Sequence, residues 1–162
     1  MDHDEYVRIN KVSNIIIGAA IDVHKELGPG LLESVYEECL KIELESKGIK
    51  VETQKELPLI YKGQQTGKTY RIDMLVDDRV VVELKSVEAL KPVNEIQTVT
   101  YLRLSNLRVG LLINFNVPVL KDGIKRKVNN YYYKTVRLYI IILKKNKFLP
   151  MFHVKHYTSI PI

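Results

Sequence analysis

The residues best suited to chemistry lie in one short stretch, 71–85, with the sequence RIDMLVDDRVVVELK. Two β-rich runs, 69–76 and 80–87, flank a three-residue turn signal at 77–79, so we predict a β-hairpin. Apolar and polar side chains alternate along both runs. The alternation predicts a polar face on which two carboxylates and a lysine meet.

The register of this hairpin decides which charged side chains face each other. Each strand carries one apolar face, and the two faces together comprise Ile72, Met74, Val76, Val80, Val82 and Leu84. Directly opposed residues of an antiparallel pair share a face, so joining the apolar sets requires a loop with an odd number of residues. A three-residue loop places Asp73 across from Glu83, with Lys85 two residues farther along on the same face.

Two interpretations of this polar face stay open on the residues alone. Carboxylates with Cβ atoms about 5 Å apart repel each other unless a cation neutralises them. Their oxygens suit a hard divalent cation such as Mg²⁺ or Mn²⁺, and Lys85 could offset charge that develops on a phosphate. The same residues also fit a solvated face with cross-strand ion pairs, from Arg71 to Glu83 and from Asp73 to Lys85.

Two amphipathic helices and a strand precede the hairpin. Apolar residues at a helical period run from Ile15 to Leu27, and a Gly-Pro-Gly turn at 28–30 ends that helix. A second helix is predicted over 31–47, and it ends at Gly48 in a C-cap position. Residues 49–61 alternate between apolar and polar types, which predicts a strand.

A third helix and a buried strand follow the hairpin. Pro92 suits the first turn of a helix that we predict to run to about Asn106. Residues 108–115 contain a near-continuous apolar run, which is typical of a strand buried on both faces. The predicted element order is ααβββαβ, an α/β sandwich built on a mixed sheet with a crossover helix.

Charge is distributed unevenly along the 162 residues, whose net charge is +6. Residues 1–130 hold 19 Lys and Arg and 19 Asp and Glu, whereas residues 131–162 hold six basic residues and no acidic one. We therefore predict a domain over 1–130 and a basic, Tyr-rich C-terminal appendage over 131–162. The balanced charge of this domain predicts weak unaided affinity for DNA, and we expect a homodimer or a protein partner that delivers substrate.

The composition also predicts a compartment. The single cysteine, Cys39, cannot form an internal disulfide, which is typical of a reducing environment. Three of the first five residues are acidic, and no apolar run approaches the roughly 20 residues of a membrane span. We expect a cytoplasmic protein with no membrane segment.

Two motifs carry a family resemblance. Asp73 followed by Glu83-Leu84-Lys85 resembles the Asp…(Asp/Glu)-x-Lys signature of the PD-(D/E)XK nuclease superfamily. The segment 30–36, GLLESVY, is similar to the name-giving motif of the GxxExxY family, a group of small proteins resembling that superfamily. Further matches lie at 23–30, at Gln97 with Tyr101, at 111–115 and at 120–124, so that the resemblance covers residues 13 to about 130.

The resemblance implies a restriction-endonuclease-like three-layer α/β sandwich with a central mixed sheet. It also implies a metal-dependent nuclease acting on DNA, or on RNA as the second choice. Glu33, Asp73 and Glu83 would bind Mg²⁺ or Mn²⁺. Asp73, Glu83 and Lys85 would form the catalytic set. The alternative is a non-catalytic module that keeps the fold and binds nucleic acid or a protein partner.

Five further residues complete the predicted site. By its likeness to the Gln-x-x-x-Tyr motif of RecB-type members, the resemblance implies that Gln97 and Tyr101 face the site and contact a phosphate or a metal-bound water. The two residues are four apart and so share one helical face. We also assign Tyr36, His24 and Arg71 to nucleic-acid contacts or to the support of the ligands, with a purely structural histidine as the alternative for His24.

Overall fold

The first helix is much longer than the sequence predicts. In the computed structural model, which describes residues 3–129, helix α1 spans His3–Leu27. The predicted start at Ile15 is therefore wrong. Two acidic residues occupy the first turn of α1, where the helix dipole favours them, and buried Ile9 and Val12 continue the apolar stripe toward the N-terminus.

The second helix begins three residues after the end of the predicted turn. Helix α2 spans Glu33–Ser46, inside the predicted range of 31–47. Gly30 has a φ of +99°, a backbone conformation that side chains disfavour, so glycine suits the chain reversal between the two helices. Gly48 also has a positive φ and follows the end of α2, as its C-cap assignment predicts.

Five strands form one mixed sheet in the order β1-β2-β3-β4-β5. They span Val51–Tyr61, Gln64–Val76, Val80–Lys85, Val109–Asn114 and Ile124–Val128. Strands β3 and β4 run parallel and are connected through helix α3, Pro92–Leu104, while the other neighbouring pairs are antiparallel. The predicted α/β class, mixed sheet and crossover helix are confirmed.

Two elements at the end of the domain are missing from the predicted order. A short helix α4, Leu120–Gly123, leads into strand β5, which pairs with β4 at the edge of the sheet. Three of the five residues of β5 are Lys or Arg. Such an edge strand lacks the apolar pattern on which strand prediction depends. The observed order is ααβββαβαβ.

The hairpin of β2 and β3 has the predicted three-residue turn. Met74 lies opposite Val82, as loop parity requires. The paired ladder ends there, and Ile72 packs with Val81 and Leu102 instead of sharing the face of Met74. The predicted face of Ile72 is therefore wrong, because strict alternation of faces holds only along a regular ladder.

Apolar side chains cover both faces of the sheet. The larger cluster joins α1 and α2 to alternate residues of β2, β3 and β4. The smaller cluster lies on the opposite face, where Tyr101 and Leu102 of α3 pack against Val81 of β3. Three layers result, with the sheet in the middle.

Two predictions concern segments or properties outside this architecture. Across residues 3–129, every helix is too short or too polar to cross a membrane. The predicted basic appendage over 131–162 lies outside the described residues.

Candidate active site

Lys85 is the cation that three carboxylates share. It is the last residue of β3, and its side chain is 15% exposed. Its Nζ lies 3.9 Å from Glu33 Oε2, 3.7 Å from Asp73 Oδ2 and 3.9 Å from Glu83 Oε2. Nζ also donates a 2.6 Å hydrogen bond to the carbonyl oxygen of Leu84. The structure thus brings together the four residues of the predicted metal and catalytic set.

Backbone amides hold the two strand carboxylates in place where the β2–β3 ladder ends. The Leu84 N–H donates to Asp73 Oδ2 at 2.8 Å, and the Asp73 N–H donates to Glu83 Oε1 at 3.5 Å. These bonds replace the regular strand pairing beyond Met74. The side chains of Asp73 and Glu83 are therefore fixed by the chain itself, before any ligand binds.

The electrostatics of this cluster are unbalanced. Glu83 is only 2% exposed, and its burial, reinforced by the charge of Asp73, raises the pKa of Glu83 to about 8. Burial likewise raises the pKa of Asp73. The ammonium of Lys85 opposes both shifts without cancelling them. One further cation would remove this cost of holding buried carboxylates ionised.

Glu33 reaches the cluster from the first turn of α2. Its Oε1 accepts a 3.0 Å hydrogen bond from the Ser86 N–H, directly after β3. The Ser86 hydroxyl donates to the carbonyl oxygen of Leu31 at 2.6 Å. The start of α2 is therefore tied to the end of β3, and this connection brings Glu33 to the strand carboxylates.

Tyr36 is fully buried, which leaves no surface for contact with nucleic acid and favours the other predicted role, support of the ligand residues. Its hydroxyl donates to the Gly28 carbonyl oxygen at 2.7 Å and accepts from the Leu31 N–H at 3.1 Å. Its ring stacks on Phe115 with the centroids 4.2 Å apart. Tyr36 thus fixes the turn that precedes α2, which supports the other predicted role, holding a ligand residue in place.

His24 and Arg71 lie in different surroundings from those of the carboxylate cluster. His24 is buried, and its Nε2 donates to the Val117 carbonyl oxygen at 2.9 Å, which favours the structural alternative. Arg71 is exposed and lies 3.8 Å from Glu56 on β1 rather than beside Glu83. Of the two cross-strand ion pairs in the alternative interpretation, the one from Asp73 to Lys85 is present, at 3.7 Å.

Gln97 and Tyr101 are hydrogen-bonded to each other on α3, and Tyr101 packs on the sheet face that also carries Val81 of β3. Gln97 Nε2 donates to the Tyr101 hydroxyl at 2.5 Å, as expected for residues one helical turn apart. Burial raises the pKa of the Tyr101 phenol, and the charges of Glu83 and Asp73 raise it further. Those charges act on Tyr101 because α3 lies on the same side of the sheet as the cluster.

Asn114 supports the site but is not among the residues predicted from the sequence. It lies opposite Lys85 in the parallel β3–β4 register and is buried. Its Oδ1 accepts from the Val87 N–H at 3.0 Å, and its Nδ2 donates to the Val87 carbonyl oxygen at 2.8 Å. It therefore fixes the chain just after Lys85. The signal in the sequence is an asparagine that ends an otherwise apolar strand.

The donor set fits a hard divalent cation in its chemistry. Carboxylate oxygens are the ligands that Mg²⁺ and Mn²⁺ prefer, and the buried negative charge calls for a cation. Within residues 3–129, however, no group of three His, Cys, Asp or Glu side chains is arranged around one common point for a metal. Asp73, Glu83 and Glu33 are the residues that would hold the ion, and they converge on the Lys85 ammonium in this structure.

Comparison with known proteins identifies one family. The family model described as the PD-(D/E)XK nuclease superfamily matches residues 10–127, which include every residue of the candidate site. None of the curated proteins and none of the solved structures compared with the chain matches it.

Proposed function

We propose that this chain, which belongs to the PD-(D/E)XK nuclease superfamily, is a divalent-metal-dependent nuclease that hydrolyses phosphodiester bonds in DNA. The mixed sheet with helices on both faces is consistent with the restriction-endonuclease-like fold of that superfamily. On the motifs at 30–36 and at Gln97 with Tyr101, we assign the chain to the GxxExxY family and the RecB-like branch. RNA is the second choice of substrate, and we propose a cytoplasmic location.

One observation carries the proposal: three carboxylates, one of them almost fully buried, share a single ammonium group. An ordinary structural cluster would balance its charges. We assign Asp73, Glu83 and Glu33 to the binding of Mg²⁺ or Mn²⁺, which supplies Lewis-acid stabilisation of the reacting phosphate. The burial of Glu83 keeps bulk water away from this charge and strengthens its interactions.

Lys85 is placed to act on the reacting phosphate. Hydrolysis requires a water molecule to attack phosphorus while the bond to the leaving oxygen breaks, and negative charge develops on the phosphoryl oxygens. The Lys85 ammonium donates hydrogen bonds to those oxygens or orients the attacking water. No covalent intermediate on the protein is needed.

Gln97 and Tyr101 position the substrate in this mechanism. Both are polar, and they are hydrogen-bonded to each other. The charges of Glu83 and Asp73 raise the pKa of Tyr101. We assign them to a phosphate next to the one that reacts. The pair orders the substrate rather than taking part in bond breaking.

A second candidate function is a non-catalytic module that binds nucleic acid or a protein partner. The observation that favours it is the Lys85 ammonium at the point where the acids converge, with no ready-made three-acid metal site in residues 3–129. In either case the balanced charge of residues 1–130 suggests a homodimer or a protein partner that delivers the substrate.

A cleavage assay with a matched control separates the two functions. Duplex DNA, single-stranded DNA and RNA are incubated with the protein in Mg²⁺, in Mn²⁺ and in EDTA. We expect cleavage in either metal and none in EDTA, with loss of activity in Glu83→Gln and full activity in Glu95→Gln, an ion-paired glutamate on α3. Binding without cleavage in any metal would establish the module, and equal activity in both variants would show that the site lies elsewhere.

A further inference from the structure

We infer that the outer part of the β1–β2 hairpin, residues 58–71, is an arm that binds the phosphate backbone of nucleic acid and guides it to the Lys85 site. This inference rests on the proposed function, because it names the surface that receives the substrate. The arm is defined by its exposure, its charge and its connection to the site.

The arm projects from the body of the domain. Every residue from 60 to 71 is exposed, whereas all but Asp73 of residues 72–76 are buried. At about 3.3 Å per residue, residues 56–61 of β1, which pair with residues 64–71 of β2, extend about 20 Å. A hairpin needs no such extension to complete the sheet, so the protruding part has a role other than packing.

The arm is positively charged, although the charges of the whole domain sum to zero. It contains Lys62, Lys68 and Arg71 and no acidic residue, although residues 1–130 have as many acidic as basic side chains. Arg71 lies 3.8 Å from Glu56, but both side chains are more than half exposed, so this contact is weak and easily exchanged for a phosphate. The charge complements a polyanion.

Aromatic and polar groups accompany these charges. Tyr61 is 64% exposed at the tip of the arm, and the Lys62 ammonium lies 5.4 Å from the centre of its ring. Gln64, Gln65 and Thr66 follow the tip, and side chains of these types donate hydrogen bonds to phosphate or sugar without reading sequence. The composition fits backbone contact and not base recognition.

The base of the arm contacts the candidate active site. The ring centre of Tyr70 lies 5.9 Å from that of Tyr101 on α3. Tyr101 is the residue whose pKa the charges of Glu83 and Asp73 raise. Arg71 is two residues before Asp73 on the same strand. A nucleic acid bound along the arm therefore leads directly to the carboxylate cluster.

The strand pairing within the arm is irregular. The register shifts between Pro58 and Ile60, so β2 carries extra residues at this point. The Thr66 hydroxyl donates to the Leu59 carbonyl oxygen at 2.9 Å, and Gly67 has a φ of +71°. Bulges of this kind increase the local twist and redirect a hairpin, and they also make the outer edge of β1 a poor template for pairing with another strand.

The test compares two triple variants that each remove three positive charges. Lys62→Gln/Lys68→Gln/Arg71→Gln alters the arm. Lys11→Gln/Lys47→Gln/Lys50→Gln alters the opposite end of the domain, near the turn at 77–79, where Lys50 pairs with Asp78. Binding of a fluorescent DNA duplex is measured in EDTA over a range of salt concentrations, so that no cleavage occurs, and melting temperatures establish that both variants are folded.

We expect the arm variant to bind at least about tenfold more weakly at 0.1 M salt. Its plot of log K against log salt should be flatter by about 0.9 for each phosphate that the arm no longer neutralises. The control should stay within about twofold of the unaltered protein. Equal decreases in affinity for the two variants would show a general effect of net charge and overturn the inference. Unchanged DNA binding by the arm variant would also overturn the inference.

The result also separates this inference from the proposed function. Cleavage by the unaltered protein together with normal binding by the arm variant would leave the nuclease in place and exclude the arm as its substrate-binding surface. Arm-dependent binding without cleavage in Mg²⁺ or Mn²⁺ would support the arm and contradict the nuclease. A protein that binds none of the DNA would contradict both.

Discussion

The two ends of the β2–β3 hairpin contain the same types of charged residue, but the charges balance at one end and not at the other. At the turn end, three carboxylates meet three cations. The ion pairs there join Asp77 to Arg8, Asp78 to Lys50 and Glu5 to Arg79, at distances of 3.1, 2.9 and 3.4 Å. At the other end, Lys85 is the one cation within residues 3–129 that Glu33, Asp73 and Glu83 pair with, at 3.7–3.9 Å.

The difference also shows in the ionisation of single glutamates. Glu95 on α3 is hydrogen-bonded by Lys125 and Lys127, and these bonds lower the pKa of Glu95 to about 2. Burial and the charge of Asp73 raise the pKa of Glu83 to about 8. Balanced and exposed charges suit stability and solubility, whereas an unbalanced and buried cluster is typical of a functional site.

The largest expected effect is a difference in kcat between variants of Lys85 and of Lys50. Lys85→Ala should lower kcat for metal-dependent DNA cleavage by at least about 100-fold, because the charge of the phosphoryl group loses its ammonium partner. Lys50→Ala removes a lysine of the balanced turn end and should leave kcat unchanged. The measurement is steady-state cleavage of a DNA substrate in Mg²⁺. Similar kcat values for the two variants would mean that the charge imbalance has no part in the reaction.

A smaller effect is expected where the fold positions Glu33. Tyr36→Phe keeps the ring on Phe115 but leaves the Gly28 carbonyl and the Leu31 N–H without their partner, so we expect a decrease of about 1–2 kcal/mol in the free energy of unfolding. It should also lower kcat severalfold at saturating metal, because α2 is less firmly placed. Denaturant unfolding and cleavage assays check both. Reduced stability with unchanged kcat would limit Tyr36 to a role in packing.

The smallest expected effect is a pH dependence with opposite signs for the two glutamates. The raised pKa of Glu83 means that the metal-free protein loses stability as the pH rises from about 4.5 to about 8. Glu83→Gln should therefore raise the melting temperature by roughly 2–4 °C at pH 9 and change it little at pH 4. Thermal unfolding in EDTA at several pH values is the measurement.

Glu95→Gln is the matched control in that series. The lowered pKa of Glu95 contributes stability above about pH 4.5, which is lost as the pH falls toward 2. This substitution should therefore lower the melting temperature at neutral and high pH. A decrease for Glu83→Gln at pH 9 as well would indicate that Glu83 serves as an ordinary ion-pair partner of Lys85.

The hairpin at the centre of the site was predictable because local rules determine it. The apolar alternation and the parity of the loop fix the register, and Met74 does lie opposite Val82. The positive φ of Gly30 and the start of α2 shortly after it likewise follow from glycine and turn chemistry. These rules apply within a few residues of the chain.

The remaining features depend on contacts between distant residues. Asn114 is linked to the site by bonds to Val87, and Tyr36 by bonds to the turn and by its stacking on Phe115. The sequence near Asn114 and near Tyr36 gives no sign of these distant contacts. Ile72 lies off its predicted face at the point where bonds from backbone amides to the side chains of Asp73 and Glu83 take the place of regular strand pairing, and periodicity in the sequence does not reveal such bonds.

The most direct test of the proposed metal site is the stabilisation of the metal-free protein by added Mg²⁺ or Mn²⁺ at pH 8, followed as the melting temperature. A metal at 100 times its dissociation constant stabilises the folded state by about 2.7 kcal/mol. For the unaltered protein, and for Asp78→Asn at the balanced turn end, we predict that the melting temperature rises by the amount that corresponds to this free energy. For Glu83→Gln we predict little or no rise in the melting temperature. Equal increases in all three proteins, or none in any of them, would contradict a metal site at the unbalanced end of the hairpin.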